Sequence, residues 1–171
     1  MSDMIKPVVD QFKFNSMILG LATGDLKNDA AGHRLRNGEG SSISYLMGHL
    51  LSSRYGMLKM LGAGDENPFA EQFGRDAGPR DVSEYPNITE LKSAWDELSP
   101  RFHTALQDAT DDQLLAPAPD GFPPIEDQTM RGAVGFLCWH ESYHVGQIGI
   151  LRTEQGYPST EHQVHAAVAA K

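Results

Sequence analysis

A single cysteine, Cys138, stands in the 171 residues. No internal disulfide can form, and a metal site built from several thiolates is excluded. Cationic side chains are also scarce: 14 Lys and Arg stand against 23 Asp and Glu, a formal charge of −9. No basic cluster offsets that balance, so phosphate backbones and anionic membrane surfaces are poor partners. No stretch approaches the roughly 18 consecutive apolar residues of a membrane-spanning helix. The N-terminal MSDMIKPVVDQFKF lacks the basic segment and apolar run of a signal peptide. A reducing cytoplasm is the expected compartment, with neither nucleic acid nor membrane as partner. Strand alternation is missing too, and with it any substrate-aligning β edge.

What is present is helical periodicity. Four amphipathic segments are predicted at about 6–26, 41–61, 88–109 and 129–155, within one domain spanning 1–171. Ser41 or Ser42 caps the second, Asn87 with Glu90 opens the third, and Thr129 opens the fourth, which Gly156 and Pro158 close. Pro100 keeps the phase of the third and predicts a kink. Residues 28–40, 62–87 and 111–128 read as connections, the last two long enough for lids, with Phe69, Phe73 and Tyr85 available to pin the first of them down. The tail beyond Pro158 is either a short helix or frayed. The fold class is all-α, a four-helix bundle with long connections, in which sites arise from inward side chains on facing helices.

His140 and His144 lie four residues apart on the last segment, a spacing that lets two imidazoles share one ion. Their face also carries Ala133, Phe136, Leu137, Ile148 and Leu151, so both histidines are expected to face the core. Such pairs arise readily by chance in a chain with seven histidines. His49 adds weight, because it falls mid-helix in another apolar segment, where a third ligand would sit. Three imidazoles leave a coordination position open, the pattern of a catalytic ion. Zinc is the first choice, and nickel or iron also suits imidazole.

Residues 140–144 also spell His-Glu-Ser-Tyr-His, the H-E-x-x-H string of zinc proteases. The metzincin continuation is missing, because Gln147 and Ile150 stand where a glycine and a histidine belong. Little chain remains downstream for another type of zincin.

The run Thr129-Met130-Arg131-Gly132, then Phe136-Leu137, Trp139-His140-Glu141, Tyr143-His144 and Gly146-Gln147-Ile148, then Leu151-Arg152 and Gly156, resembles the last helix of the DinB-like (DinB/YfiT-like) family of metalloenzymes. His49, in SYLMGHLL, matches the histidine of that family's second helix. The resemblance implies a four-helix bundle, often of crossed connectivity, with a three-histidine divalent metal site and frequently a homodimer. Relatives include isomerases and S-transferases that use mycothiol, bacillithiol or glutathione.

Supporting residues carry narrower expectations. Glu141 is one position round from the ligands, a general base for a catalytic reaction or a hydrogen-bond partner for a neighbouring helix. Gln147 and Tyr143 are placed to orient a ligand or substrate, and Asn15 to face the cavity. Arg152 is expected in a surface salt bridge, Cys138 as a buried apolar residue, and His33, His103, His162 and His165 in solvent. The combined reading is a metal-dependent enzyme in which His49, His140 and His144 hold an ion that activates a low-molecular-weight thiol or water against a small-molecule substrate. A metal-dependent hydrolase and a non-catalytic metal-binding dimeric bundle are the alternatives.

Overall fold

The computed structural model describes residues 2–35, 38–74, 77, 80–120, 122–123 and 125–169. Its four long helices are α1 (Lys6–Thr23), α3 (Ile43–Met60), α5 (Ile88–Asp108) and α7 (Met130–Glu154). Their starts follow cap chemistry. The side chains of Ser42, Asn87 and Thr129 accept from the backbone N–H three residues on, satisfying donors that the first turn leaves free. Gly156, at φ +79°, lets the chain turn out of α7 in a conformation other residues rarely adopt.

Among the described residues, short helices α2 (Asn28–Gly32), α4 (Ala70–Phe73) and α6 (Asp111–Leu115) lie within the expected connections, and α8 (Thr160–Ala169) settles the tail as helix. The first segment also ends at Thr23, short of Leu26. Pro100 does not interrupt α5. It lies on the exposed side, so the carbonyl it leaves without a donor, that of the exposed Asp96, faces water.

Around the bundle the order is α1, α5, α3, α7, each helix packing on its two neighbours. The helices consecutive in the chain are therefore diagonal for α1 and α3 and again for α5 and α7. The connections through α2 and α6 span those diagonals, which explains their length. The core between the helices includes Phe12 edge-on to Phe102 at 4.9 Å, with Leu50, Leu51, Trp95 and Ile148 buried around them. Among the described residues no helix is long and apolar enough to cross a membrane.

The 62–87 connection is held down as its aromatics suggested. Phe69, Phe73 and Tyr85 are buried, Phe73 and Tyr85 stacking at 5.1 Å. Phe73 occupies the space left by the missing side chain of Gly48, where a Cβ would stand 2.2 Å from the ring. Gly48→Ala is expected to lower unfolding free energy by about 1–3 kcal/mol, the cost of overpacking, and to lift this strap from α3. Urea unfolding followed by circular dichroism checks it, and an unchanged midpoint would show that Phe73 moves aside freely.

Candidate metal centre

The neighbours α3 and α7 bring His49, His140 and His144 together. The Nε2 atoms of His49 and His140 are 3.0 Å apart, and those of His140 and His144 3.1 Å. Within the described residues this is the one group of His, Cys, Asp or Glu side chains whose ligand atoms converge as a metal site requires, all within 4.8 Å. Each ring stands nearly edge-on to another, with centroids 4.5–4.9 Å apart.

Protonation states follow from the surroundings. Burial first, then the charge of His144, pushes the His49 imidazole down to about 4, and burial followed by His144 and His49 does the same for His140. Burial also lowers His144, opposed by its hydrogen bond to Gln147. Neutral imidazole is the ligand form. Gln147 sets the tautomer of His144: its side-chain oxygen lies 2.6 Å from Nδ1 and can only accept, so Nδ1 carries the proton and Nε2 keeps its lone pair. Nδ1 of His140 is buried without a hydrogen-bond partner. A centre where three imidazole nitrogens converge within 4.8 Å, on rings that ionise only in acid, fits a divalent cation better than it fits an empty core.

The cluster lies at the bundle's edge rather than facing the core. His140 and His144 are half-buried, and the stripe of α7 that enters the core is Val134, Cys138, Glu141, Val145, Ile148 and Arg152. On the other flank Trp139 and Tyr143 are 59% and 52% exposed, stacked at 5.8 Å, with Tyr143 edge-on to His144. Tyr45 stacks on His49. A cavity of about 320 Å³ opens beside His49, lined also by Tyr45, Ser52 and Phe73. A second, of about 450 Å³, is lined by Leu46, Gln147 and Ile150. The 111–128 connection reaches the site through Phe122, which meets Phe136, itself stacked on His140.

Several expectations are redirected. Glu141 is 3% exposed, and both its oxygens accept from the Arg54 guanidinium at 2.8 Å, so it points into the core and is not brought to the histidine cluster. Asn15 is buried between α1 and α7, where it bonds Ser142 and Gln11 rather than a cavity. Arg152 makes the expected salt bridge, to the exposed Asp25, but from inside the protein. Fully buried, it clamps the Asp25 carboxylate and the carbonyls of Ala22 and Pro158, and these bonds hold Asp25 below the usual carboxylate range. Cys138 is buried as expected, its thiol pushed up to about 12 by burial.

His103 is not in solvent either. Its Nε2 lies 3.1 Å from Ser16 Oγ, and burial, then the positive charges of Arg54 and Lys13, push it down to about 4. Between pH 6.5 and 4 the unfolded chain holds a proton there that the folded chain refuses. Its contribution to stability is therefore complete above pH 6.5 and is lost as pH falls toward 4. Metal-free protein should melt at lower temperature at pH 5 than at pH 7, with a shallower slope in His103→Gln. Equal slopes in the two proteins would place the acid sensitivity elsewhere.

A family model described as the DinB superfamily matches residues 17–148. No curated protein matches the chain. Among solved structures, YfiT from Bacillus subtilis, described as a probable metal-dependent hydrolase with an unusual four-helix bundle topology, is similar with a TM-score of 0.64. The two chains are 18% identical, over 92% of this chain and 91% of that one. At that identity the likeness extends to the fold.

Proposed function

The chain belongs to the DinB superfamily, and from that premise we propose that it is a divalent-metal-dependent enzyme whose ion is held by His49, His140 and His144. The observation that carries the reading is the meeting of the three imidazole Nε2 atoms, at 3.0 and 3.1 Å along the chain of contacts, with Gln147 fixing the tautomer of one. Zinc is the first choice of ion, and nickel or iron suits the same donors. Such an ion supplies Lewis acidity that lowers the pKa of a thiol or a water molecule into the neutral range.

The preferred reaction is attack by a low-molecular-weight thiol on a small electrophile. The sulfur forms a new bond to carbon, the leaving group departs with its electron pair, and the thiol proton passes to solvent. A cavity lined by His49 reaches the cluster directly, and a second is lined by Gln147, the partner of His144. Gln147 also donates to the Tyr143 hydroxyl at 3.3 Å, so the exposed aromatic pair is tied to a ligand and forms one wall of the approach. With both Glu141 oxygens engaged by Arg54, no side-chain base is assigned, and proton removal is left to solvent. Hydrolysis is the second reading, favoured by the description of YfiT.

Protein loaded in turn with zinc, nickel and ferrous iron is to be offered glutathione, bacillithiol and mycothiol with a panel of electrophiles, and separately esters and amides in water. Metal-dependent loss of thiol with thioether formation is expected. Turnover of the esters or amides alone would replace the transferase reading with the hydrolase. Metal binding with neither reaction would leave a binding protein.

A further inference from the structure

A heavily bonded buried group lies outside the histidine cluster. Arg54, on α3, is 1% exposed and bonds to the other three long helices. Its Nε and Nη2 donate to both oxygens of Glu141 on α7 at 2.8 Å, Nη1 donates to Ser99 on α5 at 2.7 Å, and Nη2 donates to Ser16 on α1 at 2.8 Å. The guanidinium lies over the Trp95 ring at 3.7 Å and near Phe102 at 4.7 Å. Burying such a pair is a weak route to stability, because two desolvated charges recover in attraction little more than they lose in hydration. Apolar residues of similar volume commonly serve the fold as well.

What apolar residues do not provide is direction. The rest of the α3–α7 seam includes Leu50, Leu51, Val145 and Ile148, whose attraction is indifferent to small slides and rotations. A two-pronged guanidinium–carboxylate pair is directional, fixing both translation and rotation of one partner against the other. Here the prongs join the two ligand-bearing helices near their ligands: Glu141 follows His140 directly, and Arg54 is five residues beyond His49. Metal–nitrogen bonds tolerate only about 0.2 Å of misplacement, whereas one residue of slip along a helix is about 1.5 Å.

We propose that Arg54 and Glu141 are positioning residues for the metal site: their buried pair sets the register of α3 against α7 and so brings His49 Nε2 to those of His140 and His144. Ser16, Ser99 and the Trp95 ring hold the guanidinium from the other two helices. The proposal rests on the metal-binding reading above.

The test replaces both charges at once, Arg54→Met with Glu141→Leu, so that no buried charge is left unpaired. Wild type and variant are titrated with Co²⁺ and Zn²⁺, with melting temperature recorded on the metal-free proteins. Expected are a metal-free Tm at or above that of wild type, a loss of roughly 10- to 100-fold in Co²⁺ affinity, as for other outer partners of ligands, and altered Co²⁺ ligand-field bands. A folded double variant with wild-type affinity and bands would overturn the proposal. Arg54→Lys is the second variant, keeping the charge while losing the fork. If the double variant does not fold, Arg54→Lys decides alone, since unchanged Co²⁺ binding there would also overturn it. Failure of the wild-type protein to bind either ion would instead remove the metal-binding reading and leave the ion pair's geometry untouched.

Discussion

Replacing Arg54 alone by alanine is expected to cost about 3–5 kcal/mol of folding free energy, the effect of leaving the partner of a buried ion pair unpaired. Glu141 would then keep a carboxylate in the core with neither of its two guanidinium bonds. Trp95 and Phe102 would lose the cation that lies against them, and a void would open where the side chain now reaches from α3 to the other three long helices. Typical domains have about 5–15 kcal/mol in hand, so this one substitution puts the protein near its folding limit. Urea unfolding should show a lower midpoint with an unchanged slope. A gap below about 1 kcal/mol at pH 7 would mean that Glu141 finds water or a new partner and that the pair is not sealed in the core.

The same pair marks what the sequence made legible and what it did not. The helices were legible because their caps and apolar spacing agree: Ser42, Asn87 and Thr129 stand at observed starts. The histidine cluster was legible because neutral imidazoles in apolar segments of two helices need a common partner. The partner of Arg54 was not, although a signal was present. Arg54 sits four residues after Leu50 and three before Met57, inside the apolar stripe of α3, and a charge in that stripe requires an opposite one. Glu141 stands three residues after Cys138 and four before Val145, in the core stripe of α7. Arg152, four after Ile148, continues that stripe and is likewise buried, reaching its partner Asp25 from inside. Taking the histidine face as the core face displaced the whole helix by about a quarter turn in the reading. Of the two roles open to Glu141, a general base or a hydrogen-bond partner for a neighbouring helix, its bonds to Arg54 of α3 show the second. The short helices were illegible for another reason: at four or five residues α2, α4 and α6 are too short to display a period, and tertiary contacts such as that of Phe73 on Gly48 define them. Nor does periodicity encode that α1 and α3 lie on a diagonal.

The largest functional effect is expected from His49→Ala. Of the three proposed ligands His49 alone comes from α3, so without it the two imidazoles of α7 lose the donor that reaches them from the neighbouring helix. Affinity should fall by well more than the roughly 10- to 100-fold that a ligand's outer partner costs. Elemental analysis after dialysis should therefore go from about one ion per chain to nearly none. Melting gives an independent reading. An ion at a hundred times its Kd stabilises the wild-type fold by about 2.7 kcal/mol, or roughly 5 to 10 °C for a chain of this size. That shift should vanish in His49→Ala, while the metal-free Tm stays within the equivalent of about 1 kcal/mol, because His49 is half-buried and its ring nitrogen makes one hydrogen bond, to His140. His103→Gln is the control: it alters a histidine of α5 that contacts Ser16 on α1, and its metal-induced shift should equal that of wild type. Full stoichiometry and an undiminished shift in His49→Ala would sink the three-histidine site, and collapse of the metal-free fold in that variant would assign His49 to structure instead.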